Sequence, residues 1–291
     1  MRLKIIGSVG LKGKNNQDDV RVISALLNVW LRSKKKKVLP ISIKVSESLS
    51  SAILSFQQDE LKLKKPDGRV DPNGRSWKGL ISTLKETRTK VAISKPKVGW
   101  LTFDAEGQEG GIYHSRILHV PSAFSGLTIG RGFDMKERKQ AAVASSLSSC
   151  GIESSYAVKV SKGARKSGQD AFNFIIKEDL LDWEISAPAQ LKLFEIVYKE
   201  QETEVKRICN LKAVIKEYGT VDWDKLDQKI KDVLVDLKYR GDYKPSTRKF
   251  LQVHVAKNDL ESFSKAICDQ SKWKSVPNDR FQRRVAFLKG K

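Results

Sequence analysis

The chain has 291 residues, of which 40% are hydrophobic and 31% charged, a globular composition that allows one large domain or two ordinary ones. A run of about 18 apolar residues, which a membrane-spanning helix needs, does not occur, so a transmembrane protein is excluded. The formal net charge is +21, and residues 1–97 hold 22 Lys and Arg against 8 Asp and Glu. This concentrated positive charge favours an anionic partner.

The N-terminus and the cysteines exclude two further classes. The segment MRLKIIGSVGLKGK is interrupted by Gly7 and Gly10 before an apolar stretch develops, so it does not predict a Sec signal. The three cysteines lack CxxC spacing and histidine partners, which predicts buried free thiols rather than disulfides or zinc. His114 and His119 fall on opposite faces of a strand-like segment, so no metal site and no cofactor are expected.

The first part of the chain predicts three short helices around one small core. Residues 15–31, with Asn16 and Asp18 as capping candidates, place apolar residues at helical spacing, and residues 46–63 repeat the pattern. A dense turn cluster at residues 65–74 then precedes a third helix, which Ser76 is predicted to cap.

Three sequence blocks in this part carry a family resemblance. They read DDVRVISALLN at residues 18–28, AILSFQ at 52–57 and PDGRVDPNGRSW at 66–77. Their order and wording resemble the peptidoglycan-binding module of many wall hydrolases, which implies that residues 1–85 bind peptidoglycan. The alternative is a generic three-helix module whose lysine run is only a solvated loop. The basic, weakly patterned residues 86–98 indicate a linker.

The rest of the chain predicts a second domain over residues 99–291. Residues 111–134 are rich in Gly, Ser and β-branched residues, which indicates short strands and turns. Helix-length apolar periodicities follow, over residues 136–146, 187–218 (with breaks) and 226–239. The fold class is therefore α+β, with a small three-helix N-terminal module and a mostly α second domain that contains a small β region. Arg240–Gly241–Asp242–Tyr243 indicates a turn between helices.

Carboxylates beside glycines are the candidate catalytic groups, because hydrolysis of a glycosidic bond needs a carboxylic acid and usually a second carboxylate. Glu106 ends an apolar stretch and is followed by Gly107, and Asp134 follows a glycine-rich turn. Asp104 and Glu109 are rival carboxylates, with Glu109 the second choice as the acid. Asp134 is also a candidate N-cap for a helix beginning near Met135.

The block GLTIGRGFDM at residues 126–135 resembles the TIG-x-G block of the phage-type lysozymes and, more closely, the corresponding block of the pesticin-type muramidases. YRGDYKPSTR at residues 239–248 also resembles a block of the pesticin-type domain. The resemblance implies a lysozyme-like fold over about residues 100–291 and muramidase activity. The commoner phage lysozymes carry Asp or Cys nine residues after their catalytic Glu, where this chain has Ser115.

The same resemblance implies the roles of the site residues. Glu106 is expected to be the general acid, Asp134 to orient or activate the attacking water, and Thr128 to hydrogen-bond that water, with inversion at the anomeric carbon. Tyr113, Arg131 and Phe133 are candidates for substrate binding, since aromatic rings stack on sugars and arginine holds carboxylates. Burial in the core or a surface ion pair is the alternative for each of these three.

The sequence therefore predicts a monomeric peptidoglycan hydrolase that cleaves the MurNAc–GlcNAc β-1,4 bond and is attracted to the anionic bacterial envelope. It is expected to act in the periplasm or cell wall, either as a phage endolysin after holin release or as an injected antibacterial effector. A non-catalytic peptidoglycan-binding protein and a chitinase-type glycoside hydrolase are the alternatives. The charge also raises nucleic acid as a partner, but no zinc-finger, RRM or homeodomain signature supports specific binding.

Overall fold

The structure, a computed structural model, describes residues 3–88, 90–111 and 113–290. It is α+β and mostly helical, which confirms the predicted fold class. In chain order the helices are α1 (Gln17–Ser33), α2 (Glu47–Ser55), α3 (Arg75–Glu86), α4 (Trp100–Ala105), α5 (Gln140–Ser149), α6 (Ser154–Ser161), α7 (Gly168–Lys177), α8 (Ala187–Cys209), α9 (Lys212–Tyr218), α10 (Gln228–Arg240), α11 (Pro245–Ala256), α12 (Leu260–Cys268) and α13 (Asn278–Leu288). Within the described residues no helix is both long and apolar enough to cross a membrane.

A π-helical segment (Phe56–Glu60) continues α2, a 3-10 helix (Gln270–Trp273) follows α12, and two short antiparallel strand pairs are present. β1 (Val9–Gly10) pairs with β2 (Arg69–Val70), and β3 (Thr128–Ile129) pairs with β4 (Phe133–Asp134). The expected strands and turns of residues 111–134 are therefore present. So are the expected helices, including the break between α8 and α9.

The chain folds into two compact units that do not follow the sequence order. Unit 1 consists of Met1–Ile93 and Gln108–Gln190, and unit 2 of Ser94–Gly107 and Leu191–Lys291. Helix α4 thus belongs to unit 2, while the segment directly after it belongs to unit 1. The predicted domain boundaries at residues 85 and 98 differ from this division and stay a prediction.

The N-terminal part of unit 1 is built on α1, whose apolar stripe is completely buried. Trp30 meets the ring of Phe56 edge-on, with centroids 5.3 Å apart, and its indole N–H donates to Glu60 over 3.0 Å. The side chain of Gln57 holds the turn that follows, because its Oε1 accepts from the backbone N–H of Gly68 and its amide donates to the backbone carbonyl of Arg69. One buried amide therefore fixes the predicted turn cluster.

Two capping predictions need correction. Helix α3 is capped by the backbone of Gly74, and Ser76 lies inside its first turn, where its hydroxyl accepts a hydrogen bond from Gln57. Asn16 is the N-cap residue of α1, but its side chain makes no capping bond and donates instead to Asp19. Ser76 is occupied by a distant partner that sequence spacing does not show, whereas Asn16 bonds a residue of the same helical turn.

The N-terminal helices are attached to the rest of unit 1 by charged groups. Arg32 of α1 donates to Asp179 over 2.7 Å and to Asp182 over 2.6 Å, and Asn28 also donates to Asp179. Burial lowers the pKa of Arg32, but its hydrogen bonds to both aspartates and their negative charges outweigh that effect and raise the pKa above its ordinary value. This group, the Arg32 clamp, fixes α1 to the segment after α7.

Unit 2 is a helical unit in which α10 lies between α4, α12 and α13. Its core contains the fully or almost fully buried rings and aliphatic chains of Phe103, Phe194, Val233, Leu234, Phe263 and Ile267. Gly99, just before α4, has φ +75° and faces the ring of Tyr198 so closely that a side chain there would collide with it. The start of α4 is thereby fixed.

Candidate functional site

Glu106 lies at the C-terminal end of α4, in unit 2. The helix is only six residues long and is held by its apolar side chains, since Phe103 is buried and packs edge-on against Phe194 with centroids 5.0 Å apart. Glu106 is the C-cap residue, and its backbone N–H donates to the carbonyl of Thr102. The apolar stretch that the sequence shows before Glu106 is therefore helix α4, and Glu106 ends it.

The carboxyl group of Glu106 has one described ion-pair partner. Oε1 lies 2.8 Å from a terminal guanidinium nitrogen of Arg280, and 25% of the Glu106 side chain is exposed. Burial raises the pKa of Glu106, the Arg280 guanidinium opposes that rise, and the nearby carboxylate of Asp236 adds to it. The result is a pKa above the ordinary value, which favours a protonated carboxyl group.

Arg280 is shared with a second, buried acid. Asp236 is completely buried, accepts from Arg280 over 2.5 Å and from Arg284 over 2.7 Å, and also accepts from the hydroxyl of Thr102. Sequence reasoning missed this network. The spacing of Arg280 and Arg284, one turn apart on α13, was the available signal, but it does not reveal a carboxylate more than 40 residues away.

Thr128 and Asp134 lie in unit 1 and are direct cross-strand partners in the β3–β4 pair. The turn between them needs glycine at two positions, because Gly130 has φ +63° and Gly132 has φ +92°. Thr128 is buried, and its hydroxyl donates to the backbone carbonyl of Gly126 over 3.2 Å. The structure therefore brings these two predicted site residues together.

The carboxylate of Asp134 binds backbone N–H groups. It accepts from Gly126 over 3.2 Å and from Lys136 over 2.7 Å, and it is half-buried. The prediction that Asp134 caps a helix starting near Met135 is wrong, because the next helix begins at Gln140. A β-carbon at Gly126 would collide with the Asp134 carboxylate and the Lys136 backbone, so glycine is required there.

Glu106 belongs to unit 2, whereas Thr128 and Asp134 belong to unit 1. The described contacts of Glu106 are all with residues of its own unit, and those of Asp134 are likewise within unit 1. The structure thus supplies two local settings, a partly buried acid and a carboxylate bound to backbone amides.

The three candidate substrate-binding residues occupy different environments, all in unit 1. Tyr113 is 71% exposed, so its ring is available to a ligand. Arg131 is buried with a nitrogen 3.6 Å from Glu109, and Phe133 is fully buried with the guanidinium of Arg138 4.4 Å from its ring centroid. For Arg131 and Phe133 the position matches the alternative reading, burial in the core.

Glu109, the rival acid, lies in unit 1 with its side chain only 10% exposed. One oxygen accepts from Arg116 over 2.8 Å and the other from the amide of Gln190 over 2.9 Å, and Arg131 lies beside it. Both oxygens of Glu109 are therefore occupied by donors from its own unit, so this side chain is suited to holding the fold. The other rival, Asp104, pairs with Arg283 of α13 in unit 2.

The histidines and cysteines make no metal site in the described part of the chain, where no cluster of three potential ligands occurs. His114 is buried, and its Nδ1 accepts from the backbone N–H of Gly110 over 2.7 Å. None of the three cysteines forms a disulfide; Cys150 and Cys209 are buried as predicted, and Cys268 is half-buried.

A sequence-family model described as "Domain of unknown function (DUF8812)" matches residues 99–285. No curated protein matches the chain significantly.

Proposed function

We propose that this chain, which belongs to the family described as a domain of unknown function (DUF8812), is a muramidase. It hydrolyses the β-1,4 bond between N-acetylmuramic acid and N-acetylglucosamine in peptidoglycan. The observation that carries this proposal is Glu106. Its partly buried carboxyl group, at the end of a helix, has a raised pKa and is therefore able to hold a proton for a leaving glycosidic oxygen.

Asp134 is the proposed partner carboxylate. Two backbone N–H groups orient it on the β3–β4 pair, while half-burial leaves it accessible to water. In the proposed inverting mechanism Asp134 activates the attacking water, and Thr128 on the facing strand is the proposed hydrogen-bond partner of that water. Displacing the glycosidic oxygen by water transfers the Glu106 proton to the leaving sugar and a water proton to Asp134.

The N-terminal helices are the proposed wall-binding segment. Their loop carries four consecutive lysines, Lys34–Lys37, all of them exposed. Such a surface is attracted to anionic wall polymers, and this attraction weakens as salt screens it. The place of action, the periplasm or the cell wall after holin release or injection, belongs to the same proposal.

The test is digestion of purified peptidoglycan with mass spectrometry of the released sugar ends. The proposal expects reducing N-acetylmuramic acid ends from the unaltered chain and at least a 100-fold slower release from Glu106→Gln, because an amide has no proton to donate. Glu261→Gln, an equivalent change at an exposed position of the same unit, is the control and should keep full activity.

Other products contradict the proposal in distinct ways. Anhydro ends indicate transglycosylase chemistry, and reducing N-acetylglucosamine ends indicate a glucosaminidase. Cleavage of chitin without cleavage of peptidoglycan identifies a chitinase-type hydrolase. Binding without any cleavage identifies a non-catalytic wall-binding protein.

A further inference from the structure

We propose that Asp236 is a positioning residue for the reaction proposed above. Its carboxylate binds Arg280, so this arginine contacts two acids at once. Glu106 can therefore retain its proton more readily than if it faced the arginine alone. The inference rests on the proposed function for its catalytic meaning. The arrangement of side chains on which it stands is independent of that function.

The geometry shows how Arg280 is divided. Arg280 donates from one terminal nitrogen to Asp236 over 2.5 Å and from its Nε over 3.3 Å, which leaves the other terminal nitrogen for Glu106, at 2.8 Å. Arginine presents its donors in a rigid planar fork, so binding Asp236 on one side fixes the direction of the remaining nitrogen. Asp236 therefore sets the position of the cation that faces Glu106.

The charge balance gives this position its effect. A cation facing Glu106 alone would favour the ionised carboxylate, which cannot donate a proton. The negative charge of Asp236 offsets part of that attraction, because in a poorly solvated setting charges act over several ångströms. Glu106 thus faces a cation that another carboxylate already partly neutralises.

Three further charged groups next to this network are themselves paired. They are Asp104 on α4 itself, which pairs with Arg283; Arg284 on α13, which binds Asp236 and Asp242; and Arg240 on α10, which binds Asp242 over 2.5 Å. Arg240 adds a weaker attraction that favours the ionised form of Glu106. Asp236 is the carboxylate among these that contacts the partner of Glu106 directly.

A buried ion pair could serve only to hold α10 against α13, and the pH dependence separates that role from positioning. A structural defect lowers hydrolysis by a similar factor at every pH. Loss of positioning instead lowers the pKa of Glu106. Activity at acidic pH is then retained, and the fall of activity with rising pH begins at a lower pH than in the unaltered chain. If the pKa of Glu106 falls by one, activity on the alkaline side of the profile falls tenfold.

The experiment is a titration of the Glu106 carboxyl carbon by NMR in the full-length protein, assigned with Glu106→Gln, together with the pH profile of peptidoglycan hydrolysis. Asp236→Asn, which keeps the shape but removes the charge, is expected to lower the pKa of Glu106 and to move the alkaline limb of the profile by the same amount. An unchanged Glu106 titration in the folded variant would overturn the inference.

A second variant covers the case in which Asp236→Asn does not fold. Arg284→Lys keeps a positive charge but weakens the hold on Asp236, which leaves that carboxylate more fully available to Arg280 and should raise the pKa of Glu106. A raised pKa of Glu106 in Arg284→Lys supports the inference by itself, and where both variants fold, their opposite shifts cannot come from general loosening. A downward shift in Arg284→Lys contradicts the proposed division of Arg280.

The two proposals fail separately. If the unaltered chain cuts no glycan but the Glu106 titration shifts as expected, the muramidase proposal fails and the link between Asp236 and Glu106 stands. If the chain is a muramidase whose Glu106 titrates identically with and without Asp236, the positioning role is wrong and the muramidase proposal stands.

Discussion

Glu106 and Glu109 are three positions apart in the chain, yet their carboxyl groups have contrasting surroundings in the two units. Glu109 accepts hydrogen bonds on both oxygens, from Arg116 and from Gln190, with a second arginine beside it. Glu106 has one described cationic partner, Arg280, which is itself shared with Asp236. Both side chains are poorly exposed, so burial does not separate them.

The two carboxyl groups differ in the number of hydrogen-bond donors around them. A buried carboxylate that is fully hydrogen-bonded is stabilised in its ionised form and contributes to the fold. A buried carboxyl group with few donors finds ionisation costly, which is the property that a general acid needs. Under the proposed function, Glu106 has the catalytic role and Glu109 a structural one, and the following changes test that division.

The largest effect is expected from Asp134→Asn. This change tests whether the carboxylate of Asp134 is catalytic, as proposed for Glu106, or structural, as for Glu109. The amide oxygen can still accept from one of the two backbone N–H groups, of Gly126 and Lys136, that bind Asp134, so the turn should form with some loss of stability. Hydrolysis should fall about 10²- to 10⁴-fold, as for loss of a catalytic base. The control is Asp170→Asn, at an exposed position in the first turn of α7. Activity within threefold of the control would place Asp134 with the structural carboxylates.

Glu109→Gln should affect stability far more than chemistry. The change removes a carboxylate partner from buried arginines, which typically costs about 3 to 5 kcal/mol of unfolding free energy. Urea unfolding measures this loss, with the exposed Glu137→Gln as its control. The assignment would be reversed by a variant that unfolds like the unaltered chain but no longer cuts peptidoglycan.

Gly126→Ala is expected to act on both properties. Its new methyl group would displace the Asp134 carboxylate and the backbone of Lys136, at a cost of about 1 to 3 kcal/mol. Hydrolysis should fall about 10- to 100-fold, since small displacements of a catalytic group are costly. The neighbouring Ser125→Ala, which leaves the turn free of new atoms, should change neither. Full activity in Gly126→Ala would show that the position of Asp134 is unimportant.

The smallest effect is a pH-dependent gain in stability in Glu106→Gln. A pKa raised above its unfolded value of about 4.5 means that the folded chain binds the Glu106 proton more tightly than the unfolded chain. The corresponding stability is present below that value and is lost as pH rises through the folded pKa. Glutamine does not ionise, so the stability of the variant relative to the unaltered chain should increase from pH 4 to pH 7. A difference that is constant with pH would contradict the raised pKa.

Local elements were predictable from the sequence because their signals are local. The apolar stripe of α1 and the glycines of the β3–β4 turn act within a few neighbouring residues. The apolar stretch that ends at Glu106 is likewise a local signal, and it forms α4.

The ion networks were not predictable, since their members come from distant segments. Arg280 and Asp236 are 44 residues apart, and Arg32 and Asp179 are 147 residues apart. Asp134 illustrates the same limit. The sequence predicts that it caps a helix, whereas its carboxylate accepts hydrogen bonds from the backbone N–H groups of Gly126 and Lys136 in a tight turn. Charge spacing shows that such residues need partners, and only the three-dimensional fold selects them.

The Arg32 clamp changes how a wall-bound protein of this kind would sample its substrate. A flexible 13-residue linker has a root-mean-square end-to-end distance of about 20 Å. A module joined by such a linker would cut at varying distances from the anchoring point. With α1 fixed to Asp179 and Asp182, the N-terminal helices and the β3–β4 turn keep a constant separation. Glycan fragments released near an anchored molecule would then have a narrow length distribution, which breaking the clamp would broaden.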